Sequence, residues 1–119
     1  MNPNPAITYT PGTDSTTMQK AVIAAARSLE GRARLRTLGV QEVKDFLAVL
    51  DRNDPAIETV RVYSYEGFVA NAYDYPAYIS TAEAKRQPNG EYIITVWRAG
   101  AQRTRGIGPR MTINNKAVS

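Results

Sequence analysis

Residues 77–98 read AYISTAEAKRQPNGEYIITVWR, and a strong turn signal lies near their centre. Two segments, AYISTAEAKR and EYIITVWR, flank QPNG in the part of the chain where apolar residues recur with a period of two. Asn89 and Gly90 both tolerate the positive φ angles that short hairpin turns require. The sequence therefore predicts a β-hairpin, and with it an antiparallel sheet.

Two further segments extend this sheet. Thr59 to Tyr65, TVRVYSY, places Val60 and Val62 on one side of a strand and puts Arg61 on the other side, together with Tyr63 and Tyr65. A last strand over residues 110–114, RMTIN, would bury Met111 and Ile113. We expect a sheet of about four strands.

Two helices precede the sheet. The first has several N-cap candidates among residues 14–17, an apolar face that runs from Met18 to Leu29, and Gly31 as its C-cap. The second repeats apolar residues at helical spacing and is stopped by Asn53-Asp54-Pro55; its face is formed by Val40, Val43, Phe46, Leu47 and Leu50. Two helices followed by an antiparallel sheet define the α+β class.

The chain of 119 residues has the size of one domain. Residues 1–17 are rich in proline and threonine and predict an extended arm that is ordered only where something docks it, so the α+β domain spans residues 18–119. The longest uncharged apolar run, residues 21–26, is far too short to cross a bilayer. Without cysteine the chain forms no disulfide, and we expect a cytoplasmic protein without membrane contact.

The residue types argue against catalysis. The chain has no histidine and no cysteine, and therefore lacks the commonest general base, the commonest transition-metal ligand and the best neutral-pH nucleophile. The acids near the aromatic stretch show no paired spacing. We expect a non-enzymatic protein with no catalytic residue, no metal site and no cofactor.

Charge and aromatic residues point to binding. Residues 40–83 hold three basic and eight acidic residues, whereas residues 84–119 hold seven basic residues and one acid. Such a cationic block favours phosphate-bearing partners, although acidic and basic segments that face each other would explain it equally well. Five of the seven tyrosines lie between residues 63 and 78, and a small core rarely satisfies so many hydroxyls.

We therefore expect some of these rings on an exposed face, where they could stack on bases while arginine forks hold phosphate. Tyrosines that line an ordinary sheet with their hydroxyls in solvent are the alternative. The candidate ligand-binding residues are Arg61, Tyr63, Tyr65, Tyr78, Trp97, Arg98, Arg103, Arg105 and Arg110. The hypothesis requires that the mid-chain phenol rings and the late arginines share one surface.

Three classes of function fit this pattern. The first is a binding protein for nucleic acid or a nucleotide-like phosphate ligand. The second is a phage or mobile-element interaction protein that inhibits a host defence machine or sequesters its nucleotide signal. The third is a structural subunit of a particle, in which the extended arm binds a neighbouring subunit. We also expect a homo-oligomer, because the small-residue stripe of Ala21, Ala24, Ala25 and Ala26 would suit a contact between copies if it is exposed, although packing inside the domain is the more common explanation of such a stripe.

Overall fold

The structure is a computed structural model that describes residues 6–28, 35–36, 38–64, 68–69, 78–100, 106–107 and 111–118. Of these, residues 35–36, 68–69, 78–79, 98–100 and 106–107 are described through the backbone alone. The elements in chain order are β1 (Ala6–Tyr9), α1 (Ser15–Arg27), β2 (Leu35–Arg36), α2 (Val40–Leu50), β3 (Thr59–Tyr63), β4 (Phe68–Val69), β5 (Tyr78–Arg86), β6 (Tyr92–Gly100), β7 (Gly106–Ile107), β8 (Met111–Ile113) and β9 (Lys116–Ala117).

Within the described residues, six strands form one antiparallel sheet in the order β1-β6-β5-β3-β8-β9. The short β2 pairs with the start of β5 in parallel, and β4 pairs with β7 separately. The α+β class with two helices is confirmed. The sheet has six antiparallel strands instead of about four, because β1 and β9 add a strand at each edge.

The two added strands have separate causes. Residues 6–9 of the predicted arm are extended and pair with Tyr92 to Thr95 of β6, so the arm is docked on the sheet of its own chain. β9 follows β8 through Asn114 and Asn115, whose φ angles of 51° and 67° form a tight hairpin turn. Asparagine adopts such angles more readily than other side-chain-bearing residues, so this dipeptide is a turn signal that our sequence interpretation missed.

The predicted hairpin is confirmed and consists of β5 and β6, in register from Tyr78 opposite Gly100 to Arg86 opposite Tyr92. Gly90 has a φ of 89° and its N–H donates to the Gln87 carbonyl at 2.9 Å. Asn89 avoids positive φ and instead accepts a hydrogen bond from the Glu91 N–H at 3.0 Å through its side chain. Pro88 sets the first turn angle, so the loop holds three residues, with glycine at the left-handed position.

Both helices pack on the same side of the sheet. α2 covers the predicted apolar face and buries Val43, Phe46, Leu47 and Leu50. Val40, which the sequence also places on that face, is 47 % exposed because it lies in the first turn. The helices cover the side of the sheet from which Val60, Val62, Ala82, Ala84, Ile94 and Val96 project. Each buried Val or Ile contributes about 1.5–3 kcal/mol relative to full exposure, so this alternation sets which side faces the helices.

α1 begins at Ser15, with Asp14 as its N-cap. The Asp14 carboxylate accepts hydrogen bonds from the Thr17 backbone N–H at 3.0 Å and from the Thr17 hydroxyl at 2.5 Å. The bond from the Thr17 hydroxyl, and to a smaller extent the bond from the Thr17 N–H, hold the pKa of Asp14 below its usual value. The predicted end of this helix, with Leu29 and Gly31, lies outside the described residues.

Candidate ligand-binding face of the sheet

The side of the sheet opposite the helices carries the candidate site, and we call it the outer face. Cross-strand partners share a face, so the strand registers define its rows. One row joins Tyr63, Thr81 and Trp97, and the next joins Thr112, Arg61, Glu83 and Thr95. A third row joins Thr59, Lys85, Ile93 and Thr8. Most of these side chains are half-buried or exposed, as expected for a face on which the described residues place no helix.

An ion pair lies at the centre of the outer face. The Arg61 Nε donates to Glu83 Oε2 at 2.5 Å, and Lys85 Nζ lies 3.7 Å from Glu83 Oε1. The Glu83 side chain is only 9 % exposed, while that of Arg61 is 40 % exposed. Hydrogen bonds to Glu83 and then to Tyr63 raise the pKa of Arg61, so its charge is permanent.

The same arginine reaches an aromatic ring two strands away. Its Cζ lies 5.8 Å from the centroid of the Trp97 ring, within the distance of a cation–π contact. To reach Trp97 on β6 from β3, the Arg61 side chain crosses β5, where Thr81 is buried to 1 % exposure between Tyr63 and Trp97. Three of the predicted site residues, Arg61, Tyr63 and Trp97, are therefore brought together.

Glu83 is the residue of this cluster that our sequence interpretation left out of the site. Arg61 was expected to hold phosphate, but a carboxylate lies directly opposite it in the β3–β5 register. With Lys85 included, this part of the outer face has two positive charges and one negative charge. The alternation of both strands is visible in the sequence, but the register that makes Glu83 the partner of Arg61 is set by tertiary pairing.

The structure describes the remaining predicted site residues only through their backbone or not at all. Tyr78 lies opposite Gly100 in the hairpin, and Arg98 lies opposite Ser80; both are described through the backbone. Tyr65, Arg103, Arg105 and Arg110 lie outside the described residues. The convergence of mid-chain tyrosines with the late arginines therefore stays a prediction.

Two other tyrosines are core residues. Tyr9 and Tyr92 are buried, and their hydroxyls donate to Asp51 Oδ1 at 2.5 Å and to the Ile57 carbonyl at 2.8 Å. Burial, followed by the hydrogen bond and charge of Asp51, raises the pKa of Tyr9. Each buried hydroxyl has a specific partner, which is the requirement that led us to expect other tyrosines outside the core.

Across the described residues, no group of three or more histidine, cysteine, aspartate and glutamate side chains is arranged to hold a metal ion. Neither helix in the described part of the chain has the length and apolar character needed to span a bilayer. The comparisons with known proteins found no match: no protein-family model, no curated protein and no solved structure shows significant similarity to the chain.

Proposed function

We propose that this chain is a non-enzymatic binding protein that holds a nucleic acid or a nucleotide-like phosphate ligand on its outer face. The observation that carries the proposal is the cluster of Arg61, Tyr63 and Trp97, in which the guanidinium lies 5.8 Å from the indole centroid on the side of the sheet opposite the two described helices. These are the side chains that stack on bases and bind phosphate.

The chemistry of the face suits such a ligand. Stacking of a base on an aromatic ring contributes about 1–3 kcal/mol, and the contact tolerates any base because every base has a flat face. The Lys85 side chain is 66 % exposed, and Arg61 is 40 % exposed, so both cations are accessible to a phosphate. Glu83 already occupies part of the Arg61 donor capacity, which makes stacking the main source of affinity.

Trp97 supplies the experiment, because it is the single tryptophan of the chain. Single-stranded oligonucleotides and mononucleotides are titrated against its intrinsic fluorescence at low and high salt. We expect quenching by oligonucleotides and weaker binding at high salt. Tyr63→Ala should weaken binding about fivefold to a hundredfold if one stacked base is lost.

Ile93→Ala is the matched control, because Ile93 is a half-buried apolar residue of the outer face, two rows from Tyr63. Its affinity should stay within about twofold of the original. Trp97→Ala is measured by anisotropy of a labelled oligonucleotide, and should bind as weakly as Tyr63→Ala or more weakly. Unchanged fluorescence with every oligonucleotide and nucleotide, in a folded protein, would refute the proposal.

A protein partner is the second candidate, and the Arg61–Glu83 pair favours it. Because Glu83 neutralises Arg61, the cluster is nearly uncharged while it still displays tryptophan, tyrosine and arginine, the residue types enriched in interface hot spots. A host machine inhibited by a phage protein would be such a partner. Capture of one host protein that is lost with Trp97→Ala and survives nuclease treatment would favour this function over the first.

A further inference from the structure

We propose that the free edge of β1 pairs with β1 of a second copy of this chain, so that two sheets join into one continuous antiparallel sheet. β1 is the first strand in the sheet order, and it pairs on one side with β6. In the described part of the chain, no strand pairs with its other side. An edge strand presents backbone N–H and C=O groups that are a template for another strand.

The residues of this edge lack the charged side chains and prolines that protect many sheet edges. Residues 1–13 contain no charged residue, and the four residues of β1, Ala6-Ile7-Thr8-Tyr9, include no proline. Proteins that avoid edge pairing place lysine, proline or a bulge at such a strand. An uncharged edge meets its own copy without repulsion, and this property favours a second copy as the occupant.

The edge is also held in position. Tyr9 is 1 % exposed and donates to Asp51, the Gly12 N–H donates to the same carboxylate oxygen at 2.9 Å, and the Thr10 hydroxyl donates to Glu91 at 2.9 Å. β1 is therefore fixed between α2 and the β5–β6 turn. A rigid strand loses little further conformational freedom when it pairs.

The opposite edge of the sheet limits the assembly to two copies. β9 has two exposed residues, and one of them is Lys116. A short, charged edge does not recruit another strand, so of the two edges of the six-strand antiparallel sheet in the described residues, that of β1 is the open one. Pairing of that edge with itself is isologous and closes as a dimer, whereas two open edges would give a filament.

Dimerisation would also extend the candidate site. A two-fold axis perpendicular to the joined sheet keeps both outer faces on the same side. The two β6 strands would then be three strand spacings apart, or about 14 Å. Their Trp97 residues would lie toward opposite ends of the joined sheet, because Trp97 follows Thr95, the partner of Ala6 at the start of β1. The dimer would therefore present two copies of the aromatic cluster on one surface.

Sedimentation velocity over a range of concentrations tests the proposal. We expect a concentration-dependent dimer in the original protein. Thr8→Lys adds a charge to an exposed position of β1. In an antiparallel pair centred on β1 the two lysines would lie close together across the two-fold axis, and the dimer should weaken at least about tenfold because like charges on paired strands destabilise the pair. An equimolar mixture of Thr8→Lys and Thr8→Glu should restore it.

Ala24→Lys is the matched control, because it adds the same charge at an exposed position of α1, in the small-residue stripe. It should leave the dimer unchanged. Circular dichroism shows whether each variant is folded. A protein that is monomeric at every concentration would overturn the proposal, as would a dimer that Thr8→Lys leaves intact or that Ala24→Lys disrupts.

Discussion

Asn114 supports the start of β3 through its side chain. Its Oδ1 accepts hydrogen bonds from the N–H groups of Glu58 and Thr59 at 2.9 and 3.1 Å, and its Nδ2 donates to the Ala56 carbonyl at 2.7 Å. The residue also has a φ of 51° in the β8–β9 turn. One asparagine therefore forms a turn and joins that turn to the segment after α2.

Asn114→Gly tests this role, because glycine keeps the positive φ and removes the amide. We expect the free energy of unfolding to fall by about 1–3 kcal/mol, since three side-chain hydrogen bonds are lost at a partly solvated site. Asn115→Gly is the control: its φ is 67°, and no hydrogen bond of its side chain is found among the described residues. Urea denaturation should show a larger loss of unfolding free energy for Asn114→Gly than for Asn115→Gly. Equal losses in the two variants would contradict the role of the Asn114 side chain.

Single residues show where sequence interpretation stops. That Val60 and Val62 face the core while Arg61 and Tyr63 face outward followed from alternation alone, and it is confirmed. The pairing of Arg61 with Glu83 did not follow, because it depends on the register of two strands separated by more than a dozen residues. Whether an arginine is available for a ligand depends on such a neighbour.

At the scale of elements, β1 and α2 are joined through one carboxylate, that of Asp51. Asp51 is the C-cap of α2, and its Oδ1 accepts from both the Tyr9 hydroxyl and the Gly12 N–H. The strand at the sheet edge and the turn that leads into α1 are thus tied to the end of the second helix. This contact connects segments more than forty residues apart in the sequence.

Tyr9→Phe should lower the free energy of unfolding by about 1–3 kcal/mol at neutral pH, because a hydrogen bond to a charged group is lost. Since the folded state raises the pKa of Tyr9, the contribution is complete below the unfolded pKa of about 10 and is lost progressively as the pH rises from there toward the raised folded pKa. Thermal unfolding is measured at neutral pH and above about pH 10. The difference in stability between Tyr9→Phe and the original protein should shrink at the higher pH.

Asp51→Asn serves as the control for the cause of this pH dependence. It keeps an oxygen acceptor near the Tyr9 hydroxyl but removes the negative charge that contributes to the raised pKa. We expect its alkaline loss of stability to be smaller than that of the original protein. Parallel stability curves for all three proteins would show that Tyr9 does not carry the pH dependence.

Local signals explain which elements were predictable. The position of α2 followed from a regular apolar face and a stop at Asn53-Asp54-Pro55, and the β5–β6 hairpin followed from its turn residues. The sequence predicts an arm where β1 lies, because the strand character of β1 comes from pairing with β6, more than eighty residues away. Strand propensity depends on such partners more than helix propensity does.

At the scale of the whole molecule, the order of the strands determines what the sheet can present. The order β1-β6-β5-β3 places the first described strand beside a late one, and no local pattern specifies this arrangement. It brings Trp97 of β6 within reach of Arg61 of β3 and leaves β1 at the edge. The helices cover one side, so ligand binding and assembly are expected on the other side and at the edge.

Glu83→Gln changes the charge of the outer face. The substitution releases Arg61 and Lys85 from their shared carboxylate while nearly keeping the side-chain volume. If the proposed ligand carries phosphate, oligonucleotide affinity at low salt should rise about fivefold, the equivalent of one added charge-assisted contact. The plot of log affinity against log salt should steepen by about 0.7 for each phosphate gained on a single strand.

Asp45→Asn is the control, because it makes the same charge change at an exposed position of α2, on the other side of the sheet. It should alter neither the affinity nor the salt slope appreciably. Equal responses from both variants would mean that net charge, and not the release of Arg61, controls binding.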